Sequence, residues 1–211
     1  MIIAIDGPSA SGKSSLARRL ALHFGLPHLN TGSLYRAIAK QLLERGLSLE
    51  DKAAAVEIAR RLDPEALTEP ELGHHRYSDP ASTVAAMPEV RAALLAYQRD
   101  YIARARANVG AVIEGRDIGT VICPDAEHKF YITASVEERA KRRYREMAAL
   151  GKNVSEDSIL ADIKRRDERD STRATAPLMM APDAYLLDTT KLDIETALQA
   201  AIAHIEAKKR V

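Results

Sequence analysis

Tryptophan is absent from the 211 residues, phenylalanine occurs twice and cysteine once. A single cysteine excludes a disulfide framework within the chain. Cys123 stands beside Pro124, outside any C-x-x-C pattern. It reads as a structural thiol in a reducing compartment, which leads us to expect a cytoplasmic protein. Long apolar runs are missing too, none approaching the ~18 residues that a membrane span needs. The opening residues MIIAID carry no basic flank and meet an aspartate at once, so they predict a buried strand and not a secretory leader. An excess of one charge is also lacking. Thirty-one Lys and Arg oppose thirty Asp and Glu, a net of +1, so no bulk field points to nucleic acid or to a membrane.

What is present is ordinary globular composition, and the length predicts one domain, residues 1–211, with one good core; a monomer is expected. Ile2 to Asp6 is a short apolar run ending in a Gly/Pro/Ser turn, as for a strand buried on both faces. Helical spacing follows at Lys13–Phe24 (Leu16, Leu20, Phe24), at Thr31–Arg45 (Leu34, Ile38, Leu42), at Leu49–Leu62 and at Pro88–Asn108. The polar stretch 63–80, with Pro64, Pro70 and Pro80, predicts a loop in which His74 and His75 are solvated. Ala111–Glu114, Lys129–Thr133 and Ala184–Leu187 read as strands. Ser135 and Glu138 have the spacing of a capping box, Ser155 and Ser158 a weaker version, and Ile194–Ile205 is a last helix. Strands alternating with helices predict an α/β fold with a parallel sheet covered on both sides.

Residues 7–14 read Gly7-Pro8-Ser9-Ala10-Ser11-Gly12-Lys13-Ser14, a P-loop pattern in the strand-turn-helix context that the motif requires. The glycines let several backbone N–H groups converge on one anion, and the following helix adds its dipole. Lys13 can place an ammonium on the β/γ-phosphates of ATP, and the Ser14 or Ser15 hydroxyl can face Mg²⁺. No Asn-Lys-x-Asp string follows, which argues against a GTPase and for a small-molecule kinase.

Three further segments are unusual. Asn30-Thr31-Gly32-Ser33-Leu34-Tyr35-Arg36 opens a helix, and Glu114-Gly115-Arg116-Asp117 closes a strand, where an open α/β sheet places its ligand crevice. Glu114 is positioned to hold the waters of Mg²⁺. Arg116 and Asp117 are either a local surface ion pair or crevice residues. The third segment, Arg139–Arg173, holds eleven Lys and Arg against seven Asp and Glu. It is either a salt-bridged solvated helix pair or a lid of arginines whose planar forks bind phosphate. The tract holds neither Trp nor Phe and only one Tyr, Tyr144, a poor provision for base stacking that disfavours a nucleic-acid-binding regulator.

The strings IDGPSASGKSS, NTGSLYR, EGRDIGTVICPDA, TASVEERAKRRY and RRDERDSTRATAPL, followed by LLDTTKL, resemble bacterial cytidylate kinases of the nucleoside monophosphate kinase group, from residue 1 to about residue 205. The resemblance implies a three-layer P-loop fold with a monophosphate-binding region at about 31–108 and a lid at about 139–173. It implies ATP as donor and CMP or dCMP as acceptor. Thr31 and Asp117 would recognise the cytosine amino edge, with Arg116 beside them. Arg36 and Arg91 would lie in the monophosphate site, Arg166 and Arg173 would hold the monophosphate, and Asp170 would lie near the sugar. Arg139 and Arg143 resemble lid arginines that meet ATP. Lys13, Arg116, Arg166 and Arg173 would carry the transfer. The chain departs from the family in Asn30, where Asp is usual, in Lys13-Ser14-Ser15 and in a short insert at 63–82. Rival acceptors for the same kind of site are UMP, AMP and shikimate.

Overall fold

The computed structural model describes residues 1–63 and 75–209. Five strands form one parallel sheet: β1 (Ile2–Asp6), β2 (His28–Asn30), β3 (Ala111–Gly115), β4 (His128–Thr133) and β5 (Tyr185–Asp188). Their order is β2-β3-β1-β4-β5, so β1 is central, with Ile5 opposite Glu114 on one side and Phe130 on the other. All five residues of β1 are buried. Its uninterrupted apolar run is what helices on both faces of a sheet demand.

Eight α-helices are described: α1 (Lys13–Phe24), α2 (Thr31–Glu44), α3 (Lys52–Arg61), α4 (Ser78–Ala85), α5 (Pro88–Ala107), α6 (Val136–Ala149), α7 (Glu156–Thr172) and α8 (Ile194–Lys209). The strand period of two divides β1 between two cores. Ile3 and Ile5 pack with Leu16 and Leu20 of α1 and Ala201 and Ile205 of α8. Ile2 and Ala4 pack with Ile113 and with Ile102 of α5. A third cluster joins Leu34, Ile38 and Leu42 of α2 to Ile58, Val84 and Leu94, and a small fourth joins α6 to α7 through Ala140, Ile159 and Ile163. Truncating one of these fully buried leucines to alanine costs about 2–5 kcal/mol.

Strand and helix positions agree with the apolar patterns: β1 and α1 have the expected bounds, and the other ends shift by no more than four residues. Two local expectations change. Ser135 Oγ accepts from the Glu138 amide at 3.2 Å, but the Glu138 carboxylate turns to Arg142 instead of closing the capping box. Residues 78–80 belong to α4 and not to a loop, since Pro80 falls in the first turn, where its missing N–H has no partner to lose. The solvation expected of His74 and His75 lies outside what the structure describes.

Candidate active site

The site is built on the carboxyl ends of β1, β2 and β3. After β1 the chain curls tightly. A Cβ on Gly7 would come within 2.1 Å of the Ile132 carbonyl oxygen, and Gly12 enters α1 at φ 87°. Lys13, the first residue of α1, is 8% exposed and donates to the Pro8 carbonyl at 3.0 Å. Burial, with Arg116 and Arg166 repelling, pushes its ammonium well below the usual lysine range, against the pull of Glu114. A polyanion in the loop would offset these effects by direct attraction to the ammonium.

The loop opens onto a cleft of about 440 Å³ lined by Lys13, Ser14, Ser15, Thr31, Arg36, Arg91, Arg116, Asp117, Arg143, Arg166, Asp170 and Arg173, among others. Residues separated by up to 160 positions therefore meet in one place. Ser14 Oγ donates to Glu114 Oε2 at 2.7 Å, whereas Ser15 is exposed at the cleft wall. Arg116 and Asp117 do not pair with each other. Arg116 Nε donates to Asp170 Oδ2 at 2.9 Å, and Asp117 accepts from Arg91 Nη2 and lies 3.6 Å from Arg173 Nη2. The surface ion pair is thus excluded in favour of the crevice. Arg166 reaches Ser9 Oγ at 3.3 Å; burial and the charge of Arg116 lower it to about 10, although Asp170 opposes. Asp170 itself is pushed up by burial but held down more strongly by Arg116 and Arg166, ending at about 2. The cleft is an array of cations on a few fixed carboxylates, suited to phosphate groups.

Thr31 Oγ1 donates its proton to the Glu114 carbonyl at 2.8 Å, which leaves only its lone pairs for a ligand. Arg36 lines the same cleft and donates to Ser33 Oγ at 3.0 Å. Arg139 is the exception. Its guanidinium is 6% exposed and holds Ala134 O, Ser9 O at 3.1 Å and Asp167 at 2.6 Å. It braces the phosphate loop from behind and is not among the residues that line the cleft, whereas Arg143, expected beside it at ATP, is. Arg142, one helical turn on, takes the exposed face. It donates to Thr189 Oγ1 at 2.9 Å and Thr189 O at 2.5 Å, and Thr189 Oγ1 in turn reaches Ser11 O at 3.0 Å. Arg142 and Thr189 wall a second depression of about 340 Å³ behind Gly12, floored by Leu16, Leu192, Ile194 and Ala197.

Several site residues escape sequence reasoning. Ser82 Oγ donates to Asp170 Oδ1 at 2.8 Å. His28 Nε2 lies 3.1 Å from Glu114 Oε1, and the Tyr35 ring lies 5.7 Å from the Arg91 guanidinium carbon. Tyr35 alone carried a signal, its place in the NTGSLYR string; Ser82 and His28 gain meaning only through partners 88 and 86 residues away.

A parallel sheet with a P-loop on its central strand, and an arginine-rich acceptor half in the same cleft, defines a P-loop phosphotransferase. A family model described as cytidylate kinase matches residues 3–207, and the chain belongs to that family. Curated cytidylate kinases from Rhodopseudomonas palustris (strain TIE-1) and Xanthobacter autotrophicus are similar at 54% and 55% identity, covering 98% and 99% of this chain and 96% and 99% of theirs. Among solved structures, an uncharacterized protein from Eubacterium ventriosum aligns with TM-score 0.58 at 20% identity, over 98% of this chain and 99% of that one. A sugar kinase from Janibacter sp. HTCC2649 aligns with TM-score 0.52 at 15% identity, over 97% and 94%. The two structural likenesses concern the fold alone.

Proposed function

We infer that this chain phosphorylates CMP, and dCMP, at the expense of ATP, by in-line transfer of the γ-phosphoryl group. The observation that carries the choice of base is the pairing of acceptors in the cleft. Asp117 offers a carboxylate and Thr31 offers lone pairs whose own proton is already given to Glu114 O. Two acceptors favour the amino group of cytosine and repel the carbonyl that uracil presents there. Arg36, Arg116, Arg166 and Arg173 supply the charge for the monophosphate, with Ser82 and Asp170 beside the sugar. The nucleoside of ATP is assigned to the depression behind Gly12, between Arg142 and the apolar floor.

The attacking phosphate oxygen is already anionic, so no general base is needed, and none of the cleft residues has to move a proton. Lys13 and the arginines fix the two phosphates and neutralise charge that spreads over the transferring group. The lid helices α6 and α7 exclude water, which would otherwise accept the phosphoryl group. The oxygen donors Ser14 and Glu114 suit a hard cation, because Glu114 is buried yet held ionised beside the Ser14 hydroxyl. Mg²⁺, when bound, supplies neutralisation of the donor phosphates. Among the described residues no helix is long and apolar enough to cross a membrane.

A coupled assay with ATP and each of CMP, dCMP, UMP and AMP tests the reading. Turnover of CMP and dCMP at kcat/KM about a hundredfold or more above UMP and AMP is expected. A preference for UMP or AMP, or no turnover with any monophosphate, would overturn it.

A further inference from the structure

Asp117 occupies the N-cap of a short π-helical turn, Ile118–Ile122, but its side chain makes no capping bond there. An aspartate in that position ordinarily accepts from the backbone N–H groups that open the turn. Here those donors go elsewhere. Ile118 N–H donates to Asp6 Oδ1 and Gly119 N–H to Asp6 Oδ2, both at 2.8 Å. Asp6 is 4% exposed and lies at the end of β1, opposite Gly115 in the β1–β3 register. Strand pairing itself therefore brings this carboxylate under the turn, from more than a hundred residues away.

We propose that Asp6 is a positioning residue for base selection: it caps the turn in place of Asp117 and so frees the Asp117 carboxylate to face the acceptor nucleotide. The proposal rests on the reading of Asp117 given above. With its capping role taken, Asp117 accepts from Arg91 and lies beside Arg173 at the cleft wall. Without Asp6, the Gly119 N–H stands at the second position of the turn, where an N-cap aspartate accepts, and a swing of Asp117 back onto its own turn would withdraw it from Arg91, Arg173 and the base. The fit under the turn is close. A Cβ on Gly119 would lie 3.3 Å from Lys129 Cδ and 3.5 Å from Asp6 Oδ2. A carboxylate here carries a desolvation cost that raises its pKa to about 7, with Asp117 adding to the shift. What it provides that a neutral side chain cannot is acceptance from two adjacent donors at once, with no proton of its own to donate.

The test is a cycle of Asp6→Asn, Asp117→Asn and the double variant, each assayed with CMP and UMP and titrated with ATP. An asparagine accepts at one oxygen and turns an N–H₂ towards the second donor. Asp6→Asn should raise KM for CMP about tenfold and narrow the CMP:UMP ratio of kcat/KM, while Kd for ATP stays within about twofold. If Asp6 acts through Asp117, the double variant should have the CMP:UMP ratio of Asp117→Asn alone; losses that multiply instead would overturn the proposal. An unchanged ratio in Asp6→Asn, beside a narrowed one in Asp117→Asn, would overturn the proposal and leave the base reading standing. An unchanged ratio in Asp117→Asn would remove the base reading itself. Should Asp6→Asn not fold, Asp6→Ser takes its place in the cycle. Failure of both to fold would make Asp6 a residue of folding and overturn its assigned role.

Discussion

Ser14 Oγ donates to Glu114 Oε2 at 2.7 Å, tying the first turn of α1 to the end of β3. The other oxygen of Glu114 faces His28 Nε2 at 3.1 Å. Burial raises this carboxyl, but the His28 contact and the charge of Lys13 more than offset it, and Glu114 is held below the usual carboxylate range. An ionised oxygen, aimed at the phosphate loop by two neighbours, is therefore fixed before any nucleotide arrives.

Glu114→Gln keeps the shape of that side chain and removes its charge. We expect kcat to fall about a hundredfold or more, the scale of losing one preorganised electrostatic group, and the Mg²⁺ concentration for half-maximal rate to rise. A Mg²⁺ titration at fixed ATP measures both, and a wild-type midpoint would remove Glu114 from the metal side of the cleft.

Arg142→Ala separates the donor from the acceptor. Arg142 lines the depression behind Gly12 and is anchored on Thr189, which in turn holds the Ser11 carbonyl. Loss of that wall should raise KM for ATP about tenfold, or about 1.4 kcal/mol, and leave KM for CMP within about twofold. Arg139→Ala should behave differently, lowering thermal stability, because its guanidinium is buried on Ser9 O and Asp167. Initial rates over a grid of both substrates, with a melting curve for each variant, decide the matter.

The contrast between Arg139 and Arg142 marks how far the sequence is legible. The P-loop, the parallel sheet and the pairing of α6 with α7 follow from local patterns: apolar runs, glycine turns and helical spacing. The same patterns bring Glu114 and Asp117 to one cleft, because strand ends converge there; Arg166, on α7, is expected there only through the resemblance to cytidylate kinases. Which of several nearby arginines faces the cleft is a matter of helix rotation by about 100° per residue, and Arg139, Arg142 and Arg143 within five positions leave it open. The roles of Ser82, His28 and Asp6 depend on partners far along the chain, and neither spacing nor composition encodes such pairings. The helix α4 was obscured by Pro80, which reads as a breaker unless the first turn is already located.

Asp6 and Asp170 are shifted in opposite directions and should divide the pH dependence of stability. Burial raises Asp6 from 3.8 to about 7; Asp117 adds to this, while the Ile118 and Gly119 amides and Arg116 oppose, and Tyr131 also feels the Asp6 charge. The folded state binds that proton more tightly than the unfolded chain, so its contribution is complete below about pH 4 and is lost as pH rises through about 7. Asp170, lowered from 3.8 to about 2, contributes above about pH 4 and loses that contribution as pH falls through about 2. Urea unfolding of wild type and Asp6→Asn between about pH 4 and pH 8 should show wild type losing ground to the variant as pH rises. Parallel curves would exclude the shift of Asp6.

Arg173→Lys asks whether the basic tract binds phosphate or only holds itself together. The planar fork of Arg173 currently does structural work: Nε and Nη2 donate to the Ala176 carbonyl at 2.8 and 2.5 Å, and Ala176 itself stands at φ 50°. Nη2 also lies 3.6 Å from Asp117 Oδ1, and the residue lines the cleft. A lysine keeps the charge but cannot hold the Ala176 carbonyl, stay beside Asp117 and meet a phosphate together. Losing one or two hydrogen bonds of ~1 kcal/mol each should lower Tm by about 2–8 °C. If Arg173 also binds the monophosphate, kcat/KM for CMP should fall at least about tenfold at temperatures well below that Tm, with KM for ATP little changed. The two effects are separable because the first is read by melting and the second by rate in fully folded enzyme. A lowered Tm with wild-type kcat/KM would make Arg173 a brace for the turn at Ala176. It would also return residues 139–173 to the reading of a salt-bridged, solvated helix pair.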